Sequence, residues 1–362
     1  MNSRKFFAIT ASTGLLALGI AACGDDSSST DGGGGSSGLS GNIAGAGSSA
    51  QDAAQQAWIA GFQEANPDVS IAYDPIGSGG GREQFIAGAT LYGGSDAPLE
   101  SEELTGAKKR CGDGELLQLP VYISPIAAVY NLEGVDELQL SPETLASIFN
   151  QDITAWNDPA IAADNPDVEL PDTRITPVNR SDESGTTENF ADYLSKVAPD
   201  IWTYPVDGNW PVKGGEAADG TSGVVAAVTE GDGAIGYADA SQAGDLGVAK
   251  IKVGEEYVEP SPEAAAAIVD ESKEDTSGGQ YVFAFELART TENASTYPID
   301  LVSYELACTA YDSADDAAIV KGYLSYIVSP EGQDAAAENA GSAPISDKLR
   351  EQVQPAVDAI SG

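Results

Sequence analysis

Two spacings of apolar residues alternate along this chain. Val69, Ile71 and Tyr73 stand at every second position, as in a half-buried strand, and apolar runs at Val121 to Tyr130, Ile175 to Val178 and Ala234 to Tyr237 predict three more strands. Helical spacing fills the intervals. Ala54, Trp58, Ile59, Phe62 and Ala65 share one face and stop at Asn66-Pro67, Pro142 to Phe149 follow a capping Ser141, and Phe190, Tyr193 and Leu194 mark a third helix. Strands and helices in alternation predict an α/β fold, whose ligand loops lie at the carboxyl ends of its strands.

Four polar or glycine-rich loops fall at such places. Gly45-Ala46-Gly47-Ser48-Ser49-Ala50-Gln51 precedes the first helix, with Ser48 or Ser49 expected as its cap. Gly77-Ser78-Gly79-Gly80-Gly81 follows the strand at Val69, and its amides can approach a ligand without side chains in the way. Arg82 is expected to start the helix after Ser78. Gly93-Gly94-Ser95-Asp96-Ala97-Pro98 carries a carboxylate in a tight loop. In Asn179-Arg180-Ser181-Asp182-Glu183-Ser184-Gly185-Thr186-Thr187, Ser184 is the expected N-cap, so the Gly185 and Thr186 amides are first-turn donors beside the Arg180 guanidinium. Singly, each loop has a bland alternative: ordinary turns, a surface ion pair of Arg180 with Asp182, a loop-capping role for Asp96. Together they describe one oxyanion site assembled from several loops.

Gly-Ala-Gly-Ser-Ser at 45–49, Ile-Gly-Ser-Gly-Gly-Gly at 76–81, Gly-Ser-Asp-Ala-Pro-Leu at 94–99 and Arg-Ser-Asp-Glu-Ser-Gly-Thr at 180–186, in this order, resemble the ligand loops of the PstS-type phosphate-binding protein of the phosphate ABC transporter. Leu145 to Trp156 with Asn157-Asp158-Pro159-Ala160-Ile161, the Gly233-Ala234-Ile235-Gly236-Tyr237 strand and Tyr297-Pro298 are similar to further landmarks of that family. The resemblance implies a two-lobed periplasmic-binding-protein fold of type II. Lobe I would take residues 41–122 and 299–362 and lobe II residues 123–298, with hinge crossings near Val121-Tyr122-Ile123 and Tyr297-Pro298. It implies that phosphate is bound by the Ser49 hydroxyl, the Ala50 amide, Ser78, Arg180, Ser184, Gly185 and Thr186, with Asp96 as the discriminating group. It further implies a monomer that passes phosphate to ABC permease subunits without cofactor, metal or covalent chemistry.

The role of Asp96 follows from proton count. Phosphate keeps a proton at neutral pH, which a carboxylate can accept in a charge-assisted hydrogen bond. Sulfate has none to offer, and its lone pairs would face a buried like charge. An acid in an anion site therefore selects by rejecting the competitor. Against the commonest family pattern, Ser49 replaces a threonine, Ala50 a bulky apolar residue and Glu183 a glycine. Glu183 has to point to solvent or be neutralised if the site is to hold a dianion.

The start of the 362-residue chain, Arg4-Lys5 followed by an uncharged stretch to Ala22, reads as a signal peptide over residues 1–22. Gly19-Ile20-Ala21-Ala22-Cys23 resembles a bacterial lipobox, which makes Cys23 the expected lipidated residue; ordinary secretory cleavage is the alternative. Residues 23–40, nearly all Gly, Ser and Asp, form a tether. The expected location is thus the extracytoplasmic face of the cell membrane, with a lipid as the only membrane contact. Export favours a disulfide between the remaining cysteines, Cys111 and Cys308, over two buried thiols.

A formal net charge of −40, or −42 once Arg4 and Lys5 leave with the acid-free leader, argues against nucleic acid and anionic membranes as partners. Screening over ~8 Å lets cleft donors act on an anion despite that field. The chain has no histidine, so a serine-hydrolase triad, histidine phosphotransfer and a histidine-ligated zinc centre cannot be built. No P-loop ending is present, and Asp164, Asp167 and Asp172 lack the spacing of an EF-hand. The rival readings are an exported phosphohydrolase, a binding protein for another oxyanion such as sulfate or molybdate, and a surface interaction protein.

Overall fold

The computed structural model of the protein describes residues 38–362. The signal peptide, Cys23 and the tether up to residue 37 lie outside the described residues.

Along the chain run β1 (Gly41–Gly47), α1 (Asp52–Ala65), β2 (Val69–Asp74), α2 (Ser78–Ala87), β3 (Tyr92–Ser95), α3 (Ser101–Arg110) and the long β4 (Leu116–Asn131). Next come β5 (Gln139–Leu140), α4 (Pro142–Phe149), α5 (Pro159–Asp164), β6 (Thr176–Arg180), α6 (Gly185–Val197), β7 (Glu216–Ala218), α7 (Gly220–Glu230) and β8 (Ala234–Asp239). The short β9 (Gly247–Val248), β10 (Lys250–Val253) and β11 (Glu256–Val258) lead to α8 (Pro262–Glu271), β12 (Lys273–Asp275) and β13 (Ala284–Glu286). The chain then returns along β14 (Asp300–Cys308) and ends in α9 (Ala314–Val328), α10 (Pro330–Ala340) and α11 (Asp347–Asp358).

The main sheet has the order β2-β1-β3-β14-β4-β8-β6-β7. Two parallel sets of strands, β2-β1-β3 and β8-β6-β7, flank a central pair in which β14 and β4 run antiparallel to each other and to their outer neighbours. This sheet order is the α/β arrangement that the family resemblance implies. Along the central pair the register slips between Ser303, opposite Tyr122, and Tyr304, opposite Pro120. Pro120 has no amide to give, and the bulge leaves Val121 unpaired, which bends the ladder and re-aims the side chains beside it.

The predicted elements are recovered with small differences. α4 has the predicted bounds, and Ser141 caps it through the Thr144 amide. The strand predicted at Val121 starts five residues earlier, at Leu116, because β4 is buried on both faces and carries no alternation to mark its start. α1 begins at Asp52 with Gln51 in the capping position, not Ser48 or Ser49. Ser48 instead folds the entry turn, its Oγ accepting from the Ala50 and Gln51 amides at 3.1 and 3.3 Å. α2 begins at Ser78, so Arg82 lies in its second turn, because three glycines in succession are accepted as helix here.

Of its predicted apolar face α1 buries Ala54, Trp58 and Phe62, together with the polar Gln55, while Ile59 is half-buried and Ala65, in the last turn, is exposed. Trp58 is wholly enclosed, packs edge-on to Tyr122 and donates its indole proton to the Gly332 carbonyl at 2.7 Å; truncation to alanine would cost about 3–5 kcal/mol. Cys111 and Cys308 are joined by a disulfide, with their Cα atoms 5.4 Å apart. It ties the end of α3 to the end of β14.

Candidate functional site

The loops after β1, β2, β3 and β6 meet at one place. Gly77, at φ 90°, adopts a backbone conformation that disfavours other residues, and a Cβ there would lie 2.4 Å from Asp182 Oδ2. Its amide donates to the Gly47 carbonyl at 2.9 Å, and the Ser48 amide donates to the Gly94 carbonyl at 3.0 Å. A Cβ on Gly185 would lie 2.7 Å from Ser78 Oγ and 2.9 Å from Asp96 Cβ. The first turn of α6 thus faces the start of α2 and the Asp96 loop at close range.

Asp96 is 2% exposed. Its Oδ2 accepts the Thr186 hydroxyl at 3.0 Å, and its Oδ1 accepts the Ser303 hydroxyl at 2.7 Å. Its own amide donates to Ser78 Oγ at 3.1 Å, and its carbonyl accepts from Asn189 Nδ2 at 2.7 Å. Both carboxylate oxygens are held by residues far off in sequence, which displaces the loop-capping reading. Two hydroxyl protons aimed at Asp96 present it as an acceptor.

Arg180 is buried and ion-paired with Asp182, Nε to Oδ1 at 2.7 Å and a terminal nitrogen to Oδ2. The pair foreseen as a surface feature therefore exists, but inside the protein. Burial drives the Asp182 carboxyl upward, yet the hydrogen bond and charge of Arg180, with the Gly220 amide at 3.1 Å, leave it below its ordinary range. The Arg180 amide donates to the Tyr237 hydroxyl at 3.2 Å.

Ser184 caps α6, its Oγ accepting the Thr187 amide at 3.2 Å. That leaves the Gly185 and Thr186 amides without intrahelical partners at the positive end of the helix dipole. Ser49 Oγ lies 3.0 Å from the Thr221 hydroxyl and accepts the Thr221 amide at 3.0 Å, so the start of α7 closes the same region. The Ala50 amide, expected as a ligand donor, is bonded to Ser48 Oγ.

Glu183 is neutralised and half exposed. It accepts from Arg82 at 2.7 Å, while Arg82 also binds Glu103 at 2.7 Å and Ser95 Oγ at 3.2 Å. Asp164, weighed as a weak calcium ligand, accepts from the Ser141 amide and the Tyr257 hydroxyl, each at 2.8 Å.

Sequence reasoning missed Ser303, Thr221 and Gly220, and it foresaw the Arg180–Asp182 pair without its burial. Asp219-Gly220-Thr221-Ser222-Gly223 has the same glycine and hydroxyl character as the four loops and could have been counted with them. Ser303 sits inside a strand and carries no local signal. All eight residues expected at the site, Ser49, Ala50, Ser78, Asp96, Arg180, Ser184, Gly185 and Thr186, lie in or at the ends of the converging loops and are buried.

A family profile described as a PBP superfamily domain matches residues 32–331. Phosphate-binding protein PstS 3 of Mycobacterium tuberculosis (strain ATCC 25618 / H37Rv) is 35% identical over 366 residues, covering 97% of this chain and 98% of the relative. Phosphate-binding protein PstS of Haemophilus influenzae is 34% identical over 304 residues, covering 82% of this chain and 87% of its own length. Among solved structures, a high-affinity periplasmic phosphate-binding protein bound with phosphate at pH 8.5 superimposes with a TM-score of 0.72. At 22% identity, covering 87% of this chain and 93% of that one, it bears on the fold.

Proposed function

Because the chain belongs to the PstS-type phosphate-binding proteins of the PBP superfamily, we propose that its converging loops enclose one inorganic phosphate, which the protein captures outside the cell membrane and delivers to an ABC permease for import. The observation that carries this reading is the placement of Asp96, a buried acid held as an acceptor beside the first turn of α6, whose leading amides have no intrahelical partner. Donors grip the phosphate oxygens, and Asp96 accepts the proton that the anion retains.

In this reading Ser49, Ala50, Ser78 and Asp96 belong to lobe I, residues 41–122 and 299–362. Arg180, Ser184, Gly185 and Thr186 belong to lobe II, residues 123–298. The crossings sit on β4 near Tyr122 and before β14 near Pro298. A ligand bonded to both sides stabilises the closed state by its differential contacts. The Ser49–Thr221 and Arg82–Glu183 contacts are then closure contacts in which each lobe touches the other directly. The protein acts as a monomer without covalent chemistry, tethered through a lipid on Cys23.

Calorimetric titration of the phosphate-stripped protein tests the reading. Phosphate is expected to bind tightly and sulfate weakly. Equal affinities would remove the selectivity role, and no phosphate heat would remove the function. Turnover of a chromogenic phosphate ester, expected to be nil, separates capture from hydrolysis.

A further inference from the structure

Behind Asp96 lies a chain of buried polar side chains, none of them among the residues assigned to the ligand. Tyr323 donates its hydroxyl proton to Gln55 Oε1 at 2.8 Å, and Gln55 Nε2 donates to Gln51 Oε1 at 2.9 Å. Gln51 Nε2 then donates to Ser303 Oγ at 2.7 Å, and Ser303 Oγ donates to Asp96 Oδ1 at 2.7 Å. Gln51, Gln55, Ser303 and Tyr323 are wholly buried. They come from the start of α1, from β14 beside its bulge, and from α9.

The direction of this chain has a consequence for Asp96. An amide NH₂ can only donate, so Gln51 occupies Ser303 Oγ as an acceptor and leaves the serine proton to Asp96. The orientation of Gln55 is set in turn from behind, with its nitrogen facing Glu305 Oε1 and its oxygen taking the Tyr323 proton. Aligned donors in a dry interior polarise one another. Thr186 serves the other oxygen of Asp96 from the opposite side. Each carboxylate oxygen keeps a further lone-pair site, so Asp96 is immobilised without being used up.

We propose that Ser303 is a positioning residue for anion selectivity: by holding Asp96 Oδ1, it keeps the carboxylate oriented as an acceptor that welcomes a protonated oxyanion and rejects one without a proton. This inference rests on the phosphate reading of the site. A carboxylate released on that side can rotate, which loosens its bond to the phosphate proton and relieves its repulsion of sulfate. The amides and Arg180, which grip either anion, are untouched. Selectivity therefore falls from both directions, whereas a merely structural role would weaken both anions alike.

The test is calorimetry on the full, phosphate-stripped chain with phosphate and with sulfate, comparing wild type, Ser303→Ala and Ser303→Thr. Ser303→Ala is expected to lower the phosphate-to-sulfate affinity ratio about tenfold or more. Ser303→Thr, which keeps the hydroxyl, should hold the ratio near the wild-type value. A parallel loss for both anions, or an unchanged ratio, in Ser303→Ala overturns the inference while the phosphate reading stands. Wild-type protein that fails to bind phosphate overturns the reading itself. Should Ser303→Ala not fold by circular dichroism, Gln51→Met decides. It frees the serine hydroxyl to turn away, so a lowered ratio supports the role and an unchanged one overturns it.

Discussion

Thr186 Oγ1 lies 3.0 Å from Asp96 Oδ2, although the two residues are 90 positions apart. The bond joins the first turn of α6 to the loop after β3, so a donor-rich helix terminus and a lone acid share one small space. A helix terminus alone would bind any oxyanion. On the proposed reading, the acid makes the site ask whether the anion has a proton.

Asp96→Asn is expected to abolish that question. The amide can donate to sulfate and no longer repels it, so the phosphate-to-sulfate affinity ratio should fall by a factor on the order of 100. Paired calorimetric titrations measure it, and an unchanged ratio would remove Asp96 from its role.

Arg180→Ala takes away the charged donor proposed for the anion and leaves Asp182 without its buried partner. Phosphate affinity should drop by about 10²-fold or more, and thermal stability should fall as well. Arg180→Lys, which keeps charge but loses the planar fork, is expected to lie between. Dissociation constants within threefold of wild type in Arg180→Ala would contradict the assignment.

Glu188, in the first turn of α6, predicts a pH dependence. Burial, opposed by Arg82 and reinforced by Glu100, Glu103 and Asp207, pushes its carboxyl up to about 7. The folded state thus holds this proton more tightly than the unfolded chain, in which a glutamate titrates near ~4.3. The stabilisation is full at low pH and is lost as pH rises from there through about 7. Glu188→Gln should therefore melt with wild type at pH 4 and above it at pH 8. Melting curves offset equally at both pH values would count against the shifted carboxyl.

Trp210 stacks on Tyr237 with ring centroids 5.4 Å apart. The Tyr237 hydroxyl in turn touches Thr187 Oγ1 at 2.6 Å and the Arg180 amide at 3.2 Å. One indole is therefore linked through a single side chain to the anion loop, while Trp58, Trp156 and Trp202 are sealed in the core. Phosphate should change the intrinsic fluorescence of wild type, and Trp210→Phe should lose most of the change. A full signal in that variant would place the reporter elsewhere; no signal in wild type would favour a surface interaction protein.

Local order was legible where local physics decides it. Ser141 before Pro142 marks a helix start because the cap and the first turn are neighbours in sequence, and the α4 bounds follow. Ser184 could be read as a cap for the same reason. Ser48 misled because a hydroxyl near a helix start can bond entry-turn amides as readily as it caps, and the choice depends on how β3 holds the loop, here through Ser48 N and the Gly94 carbonyl. Glu183 was legible as a charge needing a partner, yet not as a partner of Arg82, 101 positions away.

From the sequence by itself came the α/β alternation, the four glycine and hydroxyl loops in their order, the unpaired donors at Gly185 and Thr186, and the acid among them. Each depends on steric and burial rules acting within a few residues. Only the tertiary structure decided that Cys111 pairs with Cys308, that Arg180 is braced by Asp182 inside the protein, and that Ser303 reaches Asp96. The reach of Ser303 and the cysteine pairing turn on the strand register along the central pair with its one-residue bulge, and the burial of the Arg180–Asp182 pair turns on the packing of other loops over it. Register is set by the summed packing of distant segments, so no short stretch of chain records it.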